Sequence, residues 1–303
     1  MKKLVLVMAA DNGVEREGVS KSKRVITQYV VEAMLNKKSS INALSKVFDN
    51  DVKVVDLGID ETTDTKNEID LFGIIDKKLM ENGTENIVNG SAMTYETAVK
   101  AIEVGIEMVD KFVKEGYNLF ATGEMGIGNT TTSSAVAAVL LQLPVEQMTG
   151  RGAGLSTEGL NRKIQAIKKA LDLHKPQKED PIDVLAKVGG FDLGAIAGLF
   201  LGGAALKMPV VIDGVISATG ALIAATLCPL CKEYMLASHV SKEPAGTLLL
   251  KALGKEAPLH CDMCLGEGTG ALNLFPLLDT GLAVYQGMSD FGKWGMDAYE
   301  HLE

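Results

Sequence analysis

Apolar and polar positions along this chain follow two patterns that alternate. Short runs of apolar, often β-branched residues are typical of buried strands, and longer stretches with apolar residues every three or four positions are typical of helices. The alternation predicts an α/β fold: a mostly parallel open sheet, Rossmann-like, with helices on both faces. Strands are predicted at Leu4–Ala9, Val52–Leu57, Leu119–Thr122, Val210–Asp213, Tyr234–Ala237 and Met263–Gly266. Helices are predicted over residues 25–35, 69–81, 94–115, 130–142, 158–173, 193–207, 217–226, 243–253 and 270–286.

One polar stretch, His174–Asp183, interrupts this alternation. Its prolines and its run of charged residues are typical of a loop, and apolar patterning resumes directly after it. We therefore expect a surface loop there and a single domain over residues 1–303.

Composition and charge narrow the possible partners. The chain has 303 residues and a formal net charge of −9, which disfavours nucleic acid and anionic membranes as main partners. The apolar N-terminal run ends at Asp11, which is too early for a signal peptide, and Lys207, Pro209 and Asp213 interrupt the apolar segment 194–227. The sequence therefore predicts a cytoplasmic protein that does not span a membrane.

The most informative segment runs from Gly123 to Ala138. An apolar run leads into a glycine-rich turn, and a helix rich in threonine, serine and alanine follows. Such a junction presents free N–H groups and the positive end of a helix dipole at one point, which suits a phosphate. A tight packing turn is the alternative, because the spacing matches neither a P-loop nor a clean G-x-G-x-x-G pattern. The candidate anion-binding residues are Glu124, Met125, Gly126, Ile127, Gly128, Asn129 and Thr130.

Further polar candidates stand at other glycine turns and strand ends. Arg151, between glycines, and Lys163, on the following helix, could bring cations to an anion site, with a solvated lysine as the alternative. Asp213 ends one buried strand, and Ser238 and His239 end another. A loop histidine held by ordinary hydrogen bonds is favoured over a general base, because the sequence places no acidic partner beside it.

The region after the first strand offers weaker candidates. Asp11 could bind a ribose hydroxyl or orient a catalytic group, or it could cap a turn. Ser20 and Gln28 lie eight positions apart, about two helical turns, so they would face one pocket if residues 20–28 were helical.

Glu267 is the strongest catalytic candidate. It stands in Gly266-Glu267-Gly268-Thr269-Gly270, where glycines on both sides allow a substrate to approach closely. A buried carboxylate has a raised pKa and can act as a base near neutral pH. A solvated turn glutamate would gain little from so many glycines, so the pattern favours function.

The cysteines form two C-x-x-C pairs, a spacing typical of structural zinc sites. Both pairs precede or begin a predicted strand, so they would share the sheet edge opposite the ligand edge. Reduced thiols are favoured over zinc or a redox role, because cysteine is common in protein cores. The pairs are Cys228 with Cys231 and Cys261 with Cys264.

Taken together, these segments resemble the nicotinate-nucleotide–dimethylbenzimidazole phosphoribosyltransferase family, from about Ala9 to Phe291. The strings of residues 123–131 and 266–271, in this order, are specific to it. The resemblance implies transfer of phosphoribose from nicotinate mononucleotide to an aromatic base in cobamide assembly, with no cofactor required. It implies that Glu267 removes the base's proton and that Ser20 and Gln28 face the incoming base. It assigns nucleotide or phosphate binding to Glu124, Met125, Gly126, Ile127, Gly128, Asn129, Thr130, Arg151, Lys163, Asp213, Ser238, Ser241 and Gly268.

Departures from the family pattern leave alternatives open. The usual Asp-His is Asp11-Asn12 here, which implies a different base preference. Family members usually carry a further N-terminal segment that the resemblance does not find in this sequence, so we expect a reduced small helical subdomain to which residues 270–303 contribute. The resemblance implies a homodimer; one subunit of a paired, phenol-type transferase and a non-catalytic nucleotide-binding homologue are the alternatives.

Overall fold

A parallel sheet forms the centre of the computed structural model, which describes residues 1–61 and 69–297. Its strands follow the spatial order 3-2-1-4-5-6, and every pair is parallel. The order reverses between the first and fourth strands, and ligands bind at such a point in open α/β sheets. The strands are β1 (Lys3–Ala10), β2 (Asp51–Gly58), β3 (Ile75–Asp76), β4 (Leu119–Met125), β5 (Val210–Ile212) and β6 (Met235–Ala237).

Helices cover both faces of this sheet, as the sequence predicts. They are α1 (Val25–Leu35), α2 (Ser40–Phe48), α3 (Tyr95–Lys114), α4 (Asn129–Leu141), α5 (Val145–Met148), α6 (Thr157–His174), α7 (Pro181–Val188), α8 (Phe191–Ala205), α9 (Val215–Leu227), α10 (Ala245–Leu253), α11 (Thr269–Leu272) and α12 (Phe275–Gly287).

The central strand β1 divides the core into two layers. Leu4, Leu6 and Met8 pack into the larger hydrophobic cluster, together with helices α3, α8 and α9. Val5 and Val7 point the other way, into a cluster that α1, α2 and α11 cover. Because successive side chains alternate across a strand, a fully apolar strand must be buried on both faces. The continuous apolar run at the chain start therefore already specified a central position.

Two predicted elements are wrong. Residues 69–81 form no helix; β3 lies there instead, and the N–H groups of Lys77 and Leu79 donate to Asp56 and Leu57 of β2 at 2.9 Å. Pairing with β2 at the edge of the sheet provides hydrogen-bond partners for the backbone of these residues. Their helical periodicity therefore does not decide their structure.

The predicted strand Met263–Gly266 is absent as well. The backbone is irregular there, and Asp262, Gly266 and Glu267 have φ values of 50°, 85° and 63°. These left-handed residues turn the chain instead of extending it.

The sequence analysis predicts none of α2, α5 and α7, although local signals mark α2 and α7. Ser39 and Asn42 form a capping box at the start of α2. Asp180 caps α7 and Pro181 occupies its first turn, so the predicted loop 174–183 ends earlier than expected. Among the described residues, none of the helices has the length and apolar character needed to cross a bilayer. The last part of the predicted C-terminal subdomain, residues 298–303, lies outside the described residues.

Candidate active site

A cavity of about 370 Å³ opens where β4 and β5 end. Its size suits a small-molecule ligand. Six segments form its walls: the start of α1, the β4–α4 turn, the α5–α6 loop, the start of α9, the β6–α10 loop and the loop that leads into α11. The predicted site residues that line it are Glu124, Met125, Gly126, Ile127, Asn129, Thr130, Asp213, Ser241 and Glu267.

The β4–α4 turn lies directly against β1. A Cβ atom on Gly126 would stand 2.0 Å from the carbonyl oxygen of Ala10, so only glycine fits there. Gly128 precedes α4 with a φ of 102°, and within the described chain no side chain caps this helix. The first turn of α4 meets the cavity at Asn129 and Thr130. An uncapped helix start beside a cavity is suited to an anion.

Glu124 is a buried carboxyl at the base of this turn. Its pKa is raised to about 8, chiefly by burial; a hydrogen bond from the Asn129 amide lowers it, and the nearby Asp192 and Asp213 carboxyls raise it. At neutral pH this group therefore retains its proton. A neutral carboxyl can donate as well as accept a hydrogen bond, and it does not repel an anionic ligand.

Lys163 is a fully buried cation behind the cavity wall. Its Nζ donates to Thr130 Oγ1 at 2.8 Å and to the Gly150 carbonyl at 3.3 Å. Burial lowers its pKa to about 8, and the Glu243 carboxylate opposes this shift. The alternative of a solvated lysine is therefore wrong. Lys163 places positive charge directly behind the Thr130 hydroxyl, which lines the cavity.

Arg151 does not take part in this arrangement. Its Nη1 donates to the Leu155 carbonyl at 2.8 Å and its Nη2 to Thr157 Oγ1 at 3.2 Å, on the exposed side of the turn. The next residue, Gly152, lines the cavity instead. Its backbone N–H donates to Glu243 Oε1 at 3.1 Å.

Asp213 lines the cavity at the end of β5 and contacts the segment around the start of α11. Its carboxylate accepts the N–H of Gly268 at 3.3 Å and that of Ala271 at 2.8 Å, so it fixes the start of α11 directly after Glu267. His239 lies beside it; burial raises the pKa of Asp213 and lowers that of His239, and each group's charge opposes the shift of the other. A Cβ on Gly270 would stand 2.1 Å from the His239 ring. The ring, the carboxylate and the turn therefore pack as one unit.

Ser238, by contrast, serves the structure of this unit. Its hydroxyl lies 2.7 Å from the Ile212 carbonyl, to which it donates, and 3.0 Å from His239 Nδ1. Ser238, Gly128 and Gly268 are close neighbours of the cavity but do not line it, whereas His239 does.

Glu267 reaches the cavity from the top of this turn. Gly266, Glu267 and Gly268 are all left-handed, with φ values of 85°, 63° and 89°. Such a conformation is unfavourable for a glutamate and turns its side chain out of the loop. Burial raises the pKa of Glu267, the N–H of Ile41 at the start of α2 lowers it, and Asp213 raises it. That N–H donates to Glu267 Oε2 at 3.4 Å.

The two base-facing candidates are placed differently from the prediction. Residues 20–24 precede α1 instead of belonging to it, so the assumed helical spacing fails. Ser20 accepts the N–H of Ser22 at 3.1 Å, and the buried Gln28 amide donates to the Asp60 carbonyl. Neither lines the cavity. The residues that do so on this wall are Ser22, Ile26 and Val30.

The cysteine pairs do not share a sheet edge. Cys228 ends α9 and precedes β6, whereas Cys264 lines the cavity at the opposite edge. The prediction was wrong because no strand forms at Met263–Gly266. Among residues 1–61 and 69–297, no three His, Cys, Asp or Glu side chains come together in a way that could hold a metal. Cys228, Cys231, Cys261 and Cys264 are free thiols.

Comparisons with known proteins agree with this architecture. The phosphoribosyltransferase family model matches residues 1–295. A nicotinate-nucleotide–dimethylbenzimidazole phosphoribosyltransferase of Ruminiclostridium cellulolyticum is 48% identical over 301 residues, which span 99% of this chain and 84% of that protein. A protein of the same name from Acetivibrio thermocellus is 46% identical over 299 residues, 99% of this chain and 83% of that protein.

The fold agrees at the level of solved structures as well. The crystal structure of CobT from Thermus thermophilus superposes with a TM-score of 0.89 at 38% sequence identity, and the match covers 98% of this chain and 87% of that one. Identity at this level over nearly the whole chain reflects shared ancestry as well as shared architecture. The chain therefore belongs to the phosphoribosyltransferase family that its sequence motifs indicate.

Proposed function

We propose that this protein transfers the phosphoribosyl group of nicotinate mononucleotide to an aromatic base, releasing nicotinate. The acceptor is 5,6-dimethylbenzimidazole or a related benzimidazole or phenol, and the product is the α-ribosyl phosphate used in the nucleotide loop of a cobamide. The observation that carries this proposal is Glu267, a carboxyl of raised pKa that lines the same cavity as the β4–α4 turn, whose uncapped helix start suits an anion.

Phosphoribosyl transfer requires one general base and the correct positioning of the acceptor ring against C1′ of the ribose. A ring nitrogen of the acceptor attacks C1′ of the ribose while the bond to nicotinate breaks, and the departing pyridine nitrogen takes the bonding pair. That nitrogen needs no proton, whereas the attacking ring must lose one. Glu267 accepts this proton, and its raised pKa brings it closer to the range in which a base is efficient. Attack opposite the leaving group inverts C1′.

The phosphate end of the nucleotide would bind at the β4–α4 turn. Asn129 and Thr130 begin a helix at the cavity wall, and Lys163 stands behind the Thr130 hydroxyl at 2.8 Å. The N–H groups and the buried cation act in a site of low dielectric, where each interaction with a charged ligand is stronger than in water. Ser241 and His239, on the facing wall, would lie near the nicotinate ring.

The acceptor base would bind between α1 and Glu267. Ser22, Ile26 and Val30 contribute a polar atom and two aliphatic surfaces to this wall, and Met263 and Leu265 contribute further apolar surface. A flat aromatic ring fits such a wall, and a single hydroxyl can orient it. We therefore assign the base-facing role to Ser22 and Val30 in place of Ser20 and Gln28.

The remaining parts of the proposal concern assembly and location. We infer one catalytic domain, with α12 belonging to a small helical subdomain. We expect a homodimer, as the family resemblance implies. We place it in the cytoplasm, because its net charge of −9 disfavours anionic membranes and nucleic acid as main partners. A paired arrangement with a related subunit would follow if the isolated chain lacked activity.

A nicotinate-release assay tests the function. The purified chain is incubated with nicotinate mononucleotide and, in separate reactions, with 5,6-dimethylbenzimidazole and a phenol, and nicotinate and the ribosylated product are quantified by chromatography. Equimolar release with a benzimidazole supports the proposal. Release only after a related chain is added indicates a paired enzyme, and nucleotide binding without release under any condition would contradict catalysis.

A further inference from the structure

Thr27 connects two segments that line the cavity, helix α1 and the β4–α4 turn, although it does not line the cavity itself. This fully buried threonine lies on α1, between the end of β1 and the β4–α4 turn. Its Oγ1 donates to Asp11 Oδ1 at 2.7 Å and accepts the N–H of Ile127 at 3.2 Å. We propose that Thr27 is a positioning residue for phosphoribosyl transfer, which holds the nucleotide-binding turn against the helix that faces the base; this inference rests on the proposed function.

The direction of these hydrogen bonds is determined by the partners. A backbone N–H can only donate, so Thr27 must accept from Ile127 with a lone pair. The single hydroxyl proton is then left for Asp11. Asp11 is itself held, since its other carboxylate oxygen accepts the N–H of Asp60 at 2.9 Å. Asp60 in turn accepts Arg24 Nη1 at 2.9 Å, so the chain of contacts ends in a buried ion pair.

Ile127 is held on its other side as well. Its carbonyl oxygen accepts the N–H of Asn12 at 3.3 Å. Both backbone polar groups of Ile127 are thus fixed by residues that follow β1, Asn12 and Thr27. Asn129 and Thr130, two and three positions further on, are the first residues of α4 at the cavity wall. A displacement of Ile127 would therefore move the anion-binding end of α4.

The same helix faces the base. Ile26 and Val30, one position before and three positions after Thr27, line the cavity. Because α1 carries both these side chains and the hydroxyl that holds Ile127, one hydrogen bond directly connects the wall that would face the base to the turn that would bind the nucleotide. Catalysis by positioning is sensitive to the distance between two such segments.

The test replaces Thr27 with valine, which has the same shape and lacks the hydroxyl. The substitution leaves Ile127 N–H and Asp11 Oδ1 buried without this partner. We expect the nucleotide KM and Kd to rise about tenfold and kcat to fall as well. Thr27→Ser keeps the hydroxyl, so it should restore both constants to near the wild-type values. Steady-state kinetics and calorimetry with nicotinate mononucleotide provide the readouts.

A matched control separates positioning from stability. Thr84 is also buried, and its hydroxyl accepts the N–H of Gly13 at 3.1 Å, away from the cavity. Thr84→Val should lower Tm by an amount similar to Thr27→Val and leave the kinetics unchanged. Equal kinetics and equal nucleotide Kd for wild type and Thr27→Val would overturn the inference, as would parallel kinetic losses in both variants.

The two proposals can fail separately. Wild type that releases no nicotinate contradicts the proposed function, yet the nucleotide Kd of Thr27→Val still decides the positioning role. A wild-type chain that binds no nucleotide at all would overturn both.

Discussion

The two walls of the cavity are built by different means. The wall that we assign to the nucleotide is a continuous strand–turn–helix unit, 119–141. Its turn residue Ile127 is hydrogen-bonded to Asn12, directly after β1, and to Thr27 of α1. The catalytic wall is an irregular loop that ends in Glu267, with exposed residues such as Leu265 and Cys264. Asp213 fixes the chain directly after Glu267, where its carboxylate accepts the N–H groups of Gly268 and Ala271. In our proposal, therefore, a regular strand–turn–helix unit binds the charged ligand, and an irregular loop carries the reactive group.

This contrast predicts separate kinetic signatures. Changes on the catalytic wall should lower kcat, because they act on the proton acceptor and its position. Changes on the nucleotide wall should raise the KM for the nucleotide, because they act on binding.

The largest effect is expected for Glu267→Gln. The amide cannot accept the proton of the base, so kcat should fall by about 10²–10⁴-fold while nucleotide binding survives. Rapid-quench measurement of nicotinate release and calorimetric Kd values check the two parts. Turnover close to that of the wild type would mean that the proton leaves by another route and that the strained turn serves only to shape the cavity.

Asp213→Asn should have the next largest effect. The amide nitrogen would face one of the N–H groups of Gly268 and Ala271, so the turn that holds Glu267 would lose a hydrogen bond and gain a repulsive donor pair. Loss of such a buried contact corresponds to a fall in kcat of about ten- to a hundredfold. Like Glu267→Gln, this variant should mainly lower kcat. A rise in the nucleotide KM with unchanged kcat would contradict this prediction and assign Asp213 to the nucleotide wall.

Lys163→Met tests the nucleotide wall. Methionine retains most of the aliphatic side chain and removes the charge behind Thr130, so the nucleotide Kd should rise about tenfold with a smaller change in kcat. Lys168→Met is the matched control, because Lys168 lies on the same helix α6 in an exposed ion pair with Glu146. Similar losses in both variants would indicate a general electrostatic effect and not a local one.

The smallest effect concerns pH and the stability of the free protein. Glu124 has a pKa of about 8 in the folded state against an ordinary value of 4.5, so the folded state retains this proton more strongly than the unfolded state. Its contribution to stability is present below about pH 4.5 and is lost as the pH rises through about 8. Scanning calorimetry from pH 5 to pH 8.5 should show a falling Tm in the wild type and a flatter profile in Glu124→Gln. Parallel profiles would contradict a protonated Glu124.

The sequence predicted the nucleotide wall better than the catalytic wall, for a physical reason. The β4–α4 unit is encoded locally: an apolar run, a glycine turn and a helix follow one another between Leu119 and Leu141. The loop before Glu267 has no such local code. Its shape depends on hydrogen bonds to Asp213 and to Ile41 in α2, which lie far away along the chain. The short apolar run at 263–266 resembles a strand in sequence, because those distant contacts leave no local signal.

Some of the differences could have been avoided. The capping box at Ser39 and Asn42 was present in the sequence and would have revealed α2. The start of α1 carries no comparable signal, because its preceding residue Arg24 has no capping side chain and is itself helical in φ and ψ. The helical spacing assumed for Ser20 and Gln28 fails for this reason, because α1 begins only at Val25. Our proposal assigns the base-facing role to Ser22 and Val30 instead.

By itself, the amino-acid sequence determined the parallel α/β sheet, the glycine turn before α4 and the glutamate between glycines, because short-range periodicity and local backbone requirements encode all three. Only the tertiary structure decided that Lys163 is buried behind Thr130, that Arg151 points away and that the cysteine pairs lie at opposite sheet edges. Those outcomes depend on which elements meet in space, and burial, charge and hydrogen-bond partners are set by neighbours that lie far away along the chain.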